Sequence, residues 1–334
     1  MYSSWNNYRD YLVKKYGGPF YRVGVDGGFN CPNRKDDHSG GCTFCDGTGS
    51  VAVYQRRSES SFTRSSDYEE CVAKTITTRY GVMESQILKG LEFIKRRYRA
   101  EKAALYFQSW TNTYDSVENL KAIYDKGLSY FPFSELIVST RPDCMADDVC
   151  ALLASYITPE REVWVELGLQ SSNDETLKRI NRGHDSLCYT RAAERAKRYG
   201  LKVSTHIILG LPGEGTEDYI NSVKCVNRSG ADAVKIHNLH IAGGTKMADS
   251  FYDGEVVSSS TRRHLENCAL VLRHLRSDII IERLVCDTPM HRLIEPRHFM
   301  DKSLFLRTLD DYMTENGWKQ GDLYSPDQIP QLIV

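Results

Sequence analysis

The stretch Phe20-Tyr21-Arg22-Val23-Gly24-Val25 runs without a break into Asp26-Gly27-Gly28-Phe29-Asn30-Cys31-Pro32-Asn33-Arg34. A few residues on comes Gly40-Gly41-Cys42-Thr43-Phe44-Cys45-Asp46-Gly47. The first six residues predict a β-strand. The glycine-, asparagine- and aspartate-rich segment from Asp26 to about Ser50 predicts a loop. Cys42 and Cys45, two residues apart, can turn both thiols toward one centre. Cys31 approaches from ten intervening residues upstream, across glycines that permit positive φ and close approach of backbone to a bulky group.

Four thiolates would saturate a zinc ion or an iron–sulfur cluster, whereas three leave a position for another ligand. Spacing alone leaves two centres open. One is a four-iron cluster with an iron available to the amino and carboxylate groups of S-adenosylmethionine (SAM). The other is a zinc site completed by His38 as Cys₃His. Phe44, between two of the thiols, is placed to pack beside a cluster and present its backbone to an adenine. Cys71, Cys144, Cys150, Cys188, Cys225, Cys268 and Cys286 form no such pair and are expected to be small buried hydrophobes.

Outward from this loop, short apolar runs alternate with longer amphipathic stretches. Strands are predicted at 20–25, 103–107, 136–140, 163–169, 203–209 and 233–239, with a further one at 279–284. Helices are predicted at 67–99, 116–129, 147–155, 174–180, 186–199, 216–229 and 261–275, and a mixed tail follows from 287. Six strands each followed by a helix predict a parallel α/β fold, and the Val-, Ile- and Leu-rich strands predict a sheet buried on both faces with little alternation. Periodicity does not separate an open doubly wound sheet from a barrel. In both, ligands sit at the C-terminal strand ends, where Asp26, Gln108, Ser139, Gln170, Gly210 and His240 fall.

The chain has 334 residues, 41% hydrophobic and 26% charged, with a formal net charge of −1. That balance gives no global attraction to nucleic acid or anionic membrane, so an RNA partner would need a local basic patch. The sequence begins without a secretory pattern and holds no apolar run near the ~20 residues that span a bilayer. The expected compartment is the cytoplasm, where ten cysteines argue for a metal or redox site over a disulfide framework.

The long-spaced cysteine loop with an aromatic before its last cysteine resembles the radical SAM superfamily, nearest to YhcC/YtqA-type proteins and the catalytic subunit of elongator. The resemblance continues through Tyr106-Phe107-Gln108-Ser109-Trp110-Thr111-Asn112-Thr113-Tyr114, Ser139-Thr140-Arg141-Pro142-Asp143, Glu166-Leu167-Gly168-Leu169-Gln170-Ser171, Asn181-Arg182-Gly183-His184, His206-Ile207-Ile208-Leu209-Gly210-Leu211-Pro212-Gly213-Glu214 and Lys235-Ile236-His237-Asn238-Leu239-His240. It implies a partial (β/α)₆ TIM-type barrel over 20–280, preceded by an N-terminal segment 1–19 and followed by a short C-terminal extension 281–334. It also implies a 4Fe-4S cluster on Cys31, Cys42 and Cys45. Such a cluster, reduced by a donor such as flavodoxin or ferredoxin, cleaves SAM to a 5′-deoxyadenosyl radical that abstracts hydrogen from substrate.

By the same resemblance, Gln108 and Ser109 face the SAM amino group, although Gln-Ser-Trp replaces the usual glycine-rich form. Ser139 faces the ribose. Gln170 and Arg182 match a pair that faces ribose and carboxylate in the coproporphyrinogen oxidase branch. His206 stands where that branch has an acidic ribose contact, and Gly210 to Gly213 let backbone approach the adenine. Glu166, inside an apolar strand, needs Arg182, Lys235 or another partner. His206, His237 and His240 at adjacent strand mouths point to a substrate pocket.

The implied substrate is tRNA, with a wobble-uridine carboxymethylaminomethyl group cut to aminomethyl. Lys95-Arg96-Arg97-Tyr98-Arg99 and the helix bearing Arg191, Arg195, Lys197 and Arg198 are its possible phosphate contacts. The chain lacks elongator's acetyltransferase domain and the second three-cysteine set of methylthiotransferases. A small-metabolite substrate and a zinc-stabilised, non-catalytic nucleic-acid-binding protein are the alternatives.

Overall fold

The computed structural model describes residues 4–35, 39–47, 77–286 and 288–326, with side chains in the first long helix described from residue 82. His38 and Cys71, and the part of the predicted 67–99 helix before 77, lie outside the described residues. Helix α1 (Tyr8–Tyr16) precedes strand β1 (Phe20–Val25). Then follow α2 (Thr77–Tyr98), β2 (Lys102–Phe107), α3 (Val117–Leu128), β3 (Glu135–Thr140), α4 (Asp147–Ala154) and β4 (Glu162–Gln170). After these come α5 (Asp174–Arg179), α6 (Ser186–Arg198), β5 (Lys202–Leu209), α7 (Thr216–Arg228) and β6 (Ala233–Asn238). The last elements are β7 (Ile241–Ala242), α8 (Lys246–Tyr252), α9 (Thr261–His274), β8 (Ile280–Arg283), β9 (Leu293–Glu295) and α10 (Lys302–Glu315).

Seven strands form one sheet in the order β1-β2-β3-β4-β5-β6-β8, and every neighbouring pair is parallel. Order in space follows order in sequence. Crossovers of constant hand therefore put the helices on one face, and the fold is not doubly wound. A flat sheet of this width would hold its outer strands about 29 Å apart, six spacings of ~4.8 Å. Yet Arg22 Nη2 on β1 is 2.7 Å from Glu282 Oε2 on β8. The sheet is curled into a half-barrel, which is the partial TIM-type barrel the sequence led us to expect.

The curl separates the two faces chemically. Val163, Val165, Leu167 and Leu169 of β4 point outward into the main core, with Val23, Leu105, Val138, Val203 and Val234 from its neighbours. The alternate positions turn inward, and midway along the strands they are polar: Arg22, Tyr106, Glu166, His206, Lys235 and Glu282. Both faces are buried, as expected. The expected lack of alternation is corrected, because a curled sheet needs apolar residues only where helices cover it.

Glu166 is fully buried and collects Arg22 Nη1 at 3.0 Å, Tyr106 Oη at 2.6 Å, His206 Nε2 at 3.3 Å and the ammonium of Lys235. Burial works to raise its pKa, and Lys235 and Arg22 overcome that and hold it well below the usual carboxylate range. Burial in turn lowers Lys235 to about 8 against the pull of Glu166.

The N-terminal segment closes the base of this barrel. Asn7 caps α1 by accepting from Arg9 N, and Gly17 ends it at φ 74°. Leu12, Tyr8, Tyr11 and Tyr16 pack on the inward, base-level residues Phe20, Ala104, Ile137, Trp164, Ala233 and Ile280. Lys15 bonds Glu135 and Glu162, and Tyr16 Oη donates to Glu135 at 2.6 Å. Ile281 N donates to Asn6 O at 2.8 Å, joining this segment to the last strand.

A single buried partner removed from an ion network leaves its counter-charges uncompensated. Glu166→Leu is expected to lower stability by about 3–5 kcal/mol in urea unfolding. A loss below about 1 kcal/mol would mean the interior charges are solvated.

Candidate active site

The cysteine loop sits above β1 and is built around Arg34. Turns are closed by Arg34 N to Cys31 O and Cys45 N to Cys42 O, both 3.0 Å. The Arg34 guanidinium donates to Cys45 O at 2.7 Å. Gly41 and Gly47 have φ of 84° and 73°, and a Cβ on either would meet that guanidinium carbon at 3.1 Å. These glycines therefore leave room for one side chain to reach between the two turns.

A second brace comes from the turn between α5 and α6. Thr43 N donates to Ile180 O at 2.9 Å, Asn181 Nδ2 to Gly41 O at 2.7 Å, and Asn33 Nδ2 to Asn181 O at 2.6 Å. Arg182 then spans from loop to barrel. Its Nη1 donates to Cys42 Sγ at 3.6 Å and its Nη2 to Gly168 O at 2.8 Å. Arg182 is not the partner of Glu166; Lys235 and Arg22 are. Cys42 is buried, and Cys31 and Cys45 are half-buried.

The other predicted positions fall around the same mouth, except His206, which lies midway along β5 beside Glu166 and not at the strand end expected for it. Phe44 packs on the apolar cluster of Leu177, Ile180, Ile208, Leu239 and Met247. Gln108 follows β2, its N–H donating to Val25 O at 3.3 Å, and Ser109 is buried. Ser139 lies on β3 opposite Glu166 of β4. Gln170 ends β4 at a bulge with φ 69°, a left-handed backbone that a non-glycine residue rarely adopts. A Cβ on Gly168 would meet both Gln170 Nε2, at 2.6 Å, and Arg182 Nη2, at 2.7 Å, so this glycine lets the two side chains converge.

Gly210 has φ 93°, and the place of its missing Cβ is bordered at 2.8 Å by Ser259 Oγ. His206 and His237 face each other with ring centroids 5.4 Å apart, while His240 Nδ1 is 2.8 Å from Thr288 Oγ1. Burial, then the charge of Arg283, keep His237 well below its ordinary pKa.

Sequence reading passed over Arg141. It is buried, its Nε and Nη2 grip Asp143 at 2.9 and 2.8 Å, and its buried Nη1 has no hydrogen-bond partner. Its neighbour Gly183 lacks the Cβ that would meet Arg141 Nη2 at 3.2 Å and Asn33 Oδ1 at 2.7 Å. The signal was there in Arg-Pro-Asp at a strand end. Of the other cysteines, Cys150, Cys225 and Cys268 are buried, whereas Cys144, Cys188 and Cys286 are only half-buried.

The two basic runs stand elsewhere. The last turns of α2 and α6 each lead into the start of a strand, so both lie at the base, opposite the cysteine loop. Arg195 and Lys197 are moreover paired with Asp147 and Asp232.

Among the described residues, no three His, Cys, Asp or Glu side chains are gathered to hold a single metal ion. The donor set fits a cluster and its nucleoside cofactor. Three thiols share one glycine-rich loop, Arg182 donates to a sulfur, and one buried terminal nitrogen of Arg141 has no hydrogen-bond partner.

Residues 30–226 match the radical SAM superfamily and residues 231–315 the radical SAM C-terminal domain. The chain therefore belongs to the radical SAM superfamily, enzymes that use a 4Fe-4S cluster and SAM. Within it, the chain is of the YhcC/YtqA type. It is 33% identical to YhcC of Escherichia coli (strain K12) over 316 residues, 94% of each chain. It is 29% identical to YtqA of Bacillus subtilis (strain 168) over 315 residues, 94% of this chain and 91% of that one. A stretch of 124 residues, 36% of this chain and 22% of the other, is 33% identical to the tRNA uridine(34) acetyltransferase of Methanocaldococcus infernus. The solved structure of Methanocaldococcus infernus Elp3 shares the fold, with a TM-score of 0.62 at 21% identity over 72% of this chain and 60% of that chain.

Two outcomes test the site. After anaerobic reconstitution, Cys45→Ala should lose iron, sulfide and SAM cleavage, whereas Cys268→Ala should keep all three at a stability cost of about 1 kcal/mol; equal loss in both would place the cluster on other thiols. Glu214, which accepts from the Ser171 hydroxyl, is pushed up to about 7 by burial from 4.5. Its neutral form therefore adds stability that is full below about pH 4.5 and lost as pH rises through 7. Glu214→Gln should remove up to about 3 kcal/mol of that slope, read from urea midpoints across pH.

Proposed function

We propose that this radical SAM enzyme acts on the wobble uridine of tRNA, removing the carboxymethyl part of a carboxymethylaminomethyl side chain to leave aminomethyl. The observation that carries this reading is the stretch shared with a tRNA uridine(34) acetyltransferase. The bound cofactors supply a 5′-deoxyadenosyl radical, and the chain's own residues position everything else. Cys31, Cys42 and Cys45 hold the cluster. Phe44, Gln108, Ser109, Ser139, Gln170, Arg182, His206 and Gly210 line the cofactor side, with Arg141 added as the donor for an anionic end.

Below them, the polar interior fits a small charged side chain better than an apolar one. Arg22 and Lys235 are committed to Glu166 and Glu282, while Arg283 and the unpartnered Nε2 of His237 remain for a carboxylate. Phosphates would be met at the mouth by Arg263, exposed in the first turn of α9 beside Arg262, which is paired with Glu266. A reductant is required, of the flavodoxin or ferredoxin kind, in the cytoplasm. No helix among the described residues is long and apolar enough to cross a membrane.

Mass spectrometry of tRNA nucleosides from cells with and without this protein tests the proposal. Carboxymethylaminomethyl-uridines should accumulate at the expense of aminomethyl forms in the deletion. An unchanged wobble-uridine profile would shift the reading to a metabolite substrate.

A further inference from the structure

Cys42 differs from the other two loop thiols in being buried and in receiving two side-chain N–H groups. Arg182 Nη1 lies 3.6 Å and Asn33 Nδ2 3.7 Å from its sulfur. Neither donor is free to wander. Arg182 is held by Gly168 O at 2.8 Å and Asn33 by Asn181 O at 2.6 Å. The absent Cβ atoms of Gly168 and Gly183 leave the room that Arg182 and Asn33 occupy. The arrangement joins the loop, the α5–α6 turn and the mouth of β4 through one sulfur.

We propose that Arg182 and Asn33 are positioning residues that stabilise the reduced cluster through the Cys42 sulfur, so that this edge of the site sets how readily the cluster accepts an electron. Reduction adds negative charge to the cluster and its thiolates. Donors aimed at a ligand sulfur, one of them a buried guanidinium, favour the more negative state, and hydrogen bonds to sulfur are among the determinants of cluster potential. This assigns the two terminal nitrogens of Arg182 to protein atoms, where the resemblance had given the residue to the cofactor's carboxylate. The proposal rests on the cluster being held by these three cysteines and is independent of the tRNA reading.

The test is the midpoint potential of the reconstituted holoenzyme without SAM, followed by EPR during redox titration, with iron and sulfide content measured alongside. Arg182→Gln should make the cluster about tenfold harder to reduce, about 59 mV more negative for one electron. Asn33→Ala should move it the same way by less, and Arg182→Lys, which keeps the charge without the fork, should fall between Arg182→Gln and the unaltered protein. A potential unchanged in both Arg182→Gln and Asn33→Ala, at full iron and sulfide content, would overturn the proposal. Weakened SAM binding by Arg182→Gln with that unchanged potential would return Arg182 to the cofactor. If Arg182→Gln assembles no cluster, Asn33→Ala decides, since it leaves the guanidinium in place: a negative shift supports the proposal and none overturns it. Loss of cluster from Cys45→Ala but not Cys268→Ala checks the underlying ligand set separately.

Discussion

A carboxylate at the centre of a barrel must be neutralised where it stands, and Glu166 meets that demand by drawing in groups from four other strands: Arg22, Tyr106, His206 and Lys235. Glu282 on the last strand balances the second cation through Arg22 at 2.7 Å and Lys235 at 3.5 Å. Burying these charges singly would be prohibitive, so each holds the others in place. An apolar interior would pack as well on a flatter sheet. The ionic one links the first and last strands across the gap and leaves a polar floor beneath the strand mouths. The base is sealed independently by α1, whose aromatic face covers the apolar inward residues.

The same economy governs the site above. The cysteine loop has little core of its own and borrows rigidity from Arg34 inside it and from Asn181 and Arg182 outside it. Because Arg182 also bonds the carbonyl of Gly168, the sulfur of Cys42 and the mouth of β4 cannot move separately. The strained backbone of Gln170 sits two residues further along that strand. Positive φ at Gln170, which ends β4, and at Asn181, next to Arg182 in the α5–α6 turn, is the kind of local cost that persists where surrounding contacts over-determine it.

Much of this was legible in the sequence. The strands from Phe20 to Asn238 were readable because their outward faces are continuous Val, Ile and Leu, and the helices because their apolar faces repeat. What escaped was set by contacts distant in sequence. Helix α1 reads as a polar, tyrosine-rich segment, since it buries one stripe against the barrel base. The tail from 302 to 315, mixed in sequence, resolves into α10 through the buried stripe Phe305, Leu309 and Met313. Glu166 was recognised as needing a partner, but Arg22 lies 144 residues away and could not be named. Arg141 carries a signal in Arg-Pro-Asp at a strand end, but only its burial shows that one of its donors has nothing to bond. Charge in a sequence does not say which end of a barrel it occupies, so the position of the basic runs at the base came only from the fold.

The central claim is that three cysteines hold a four-iron cluster with one iron left for SAM. Mössbauer spectroscopy of protein reconstituted with ⁵⁷Fe tests it most directly. The account predicts a 4Fe-4S spectrum in which addition of SAM separates the signal of one iron from those of the other three. A single tetrahedral zinc with no labile sulfide, or four irons that respond to SAM identically or not at all, would contradict it.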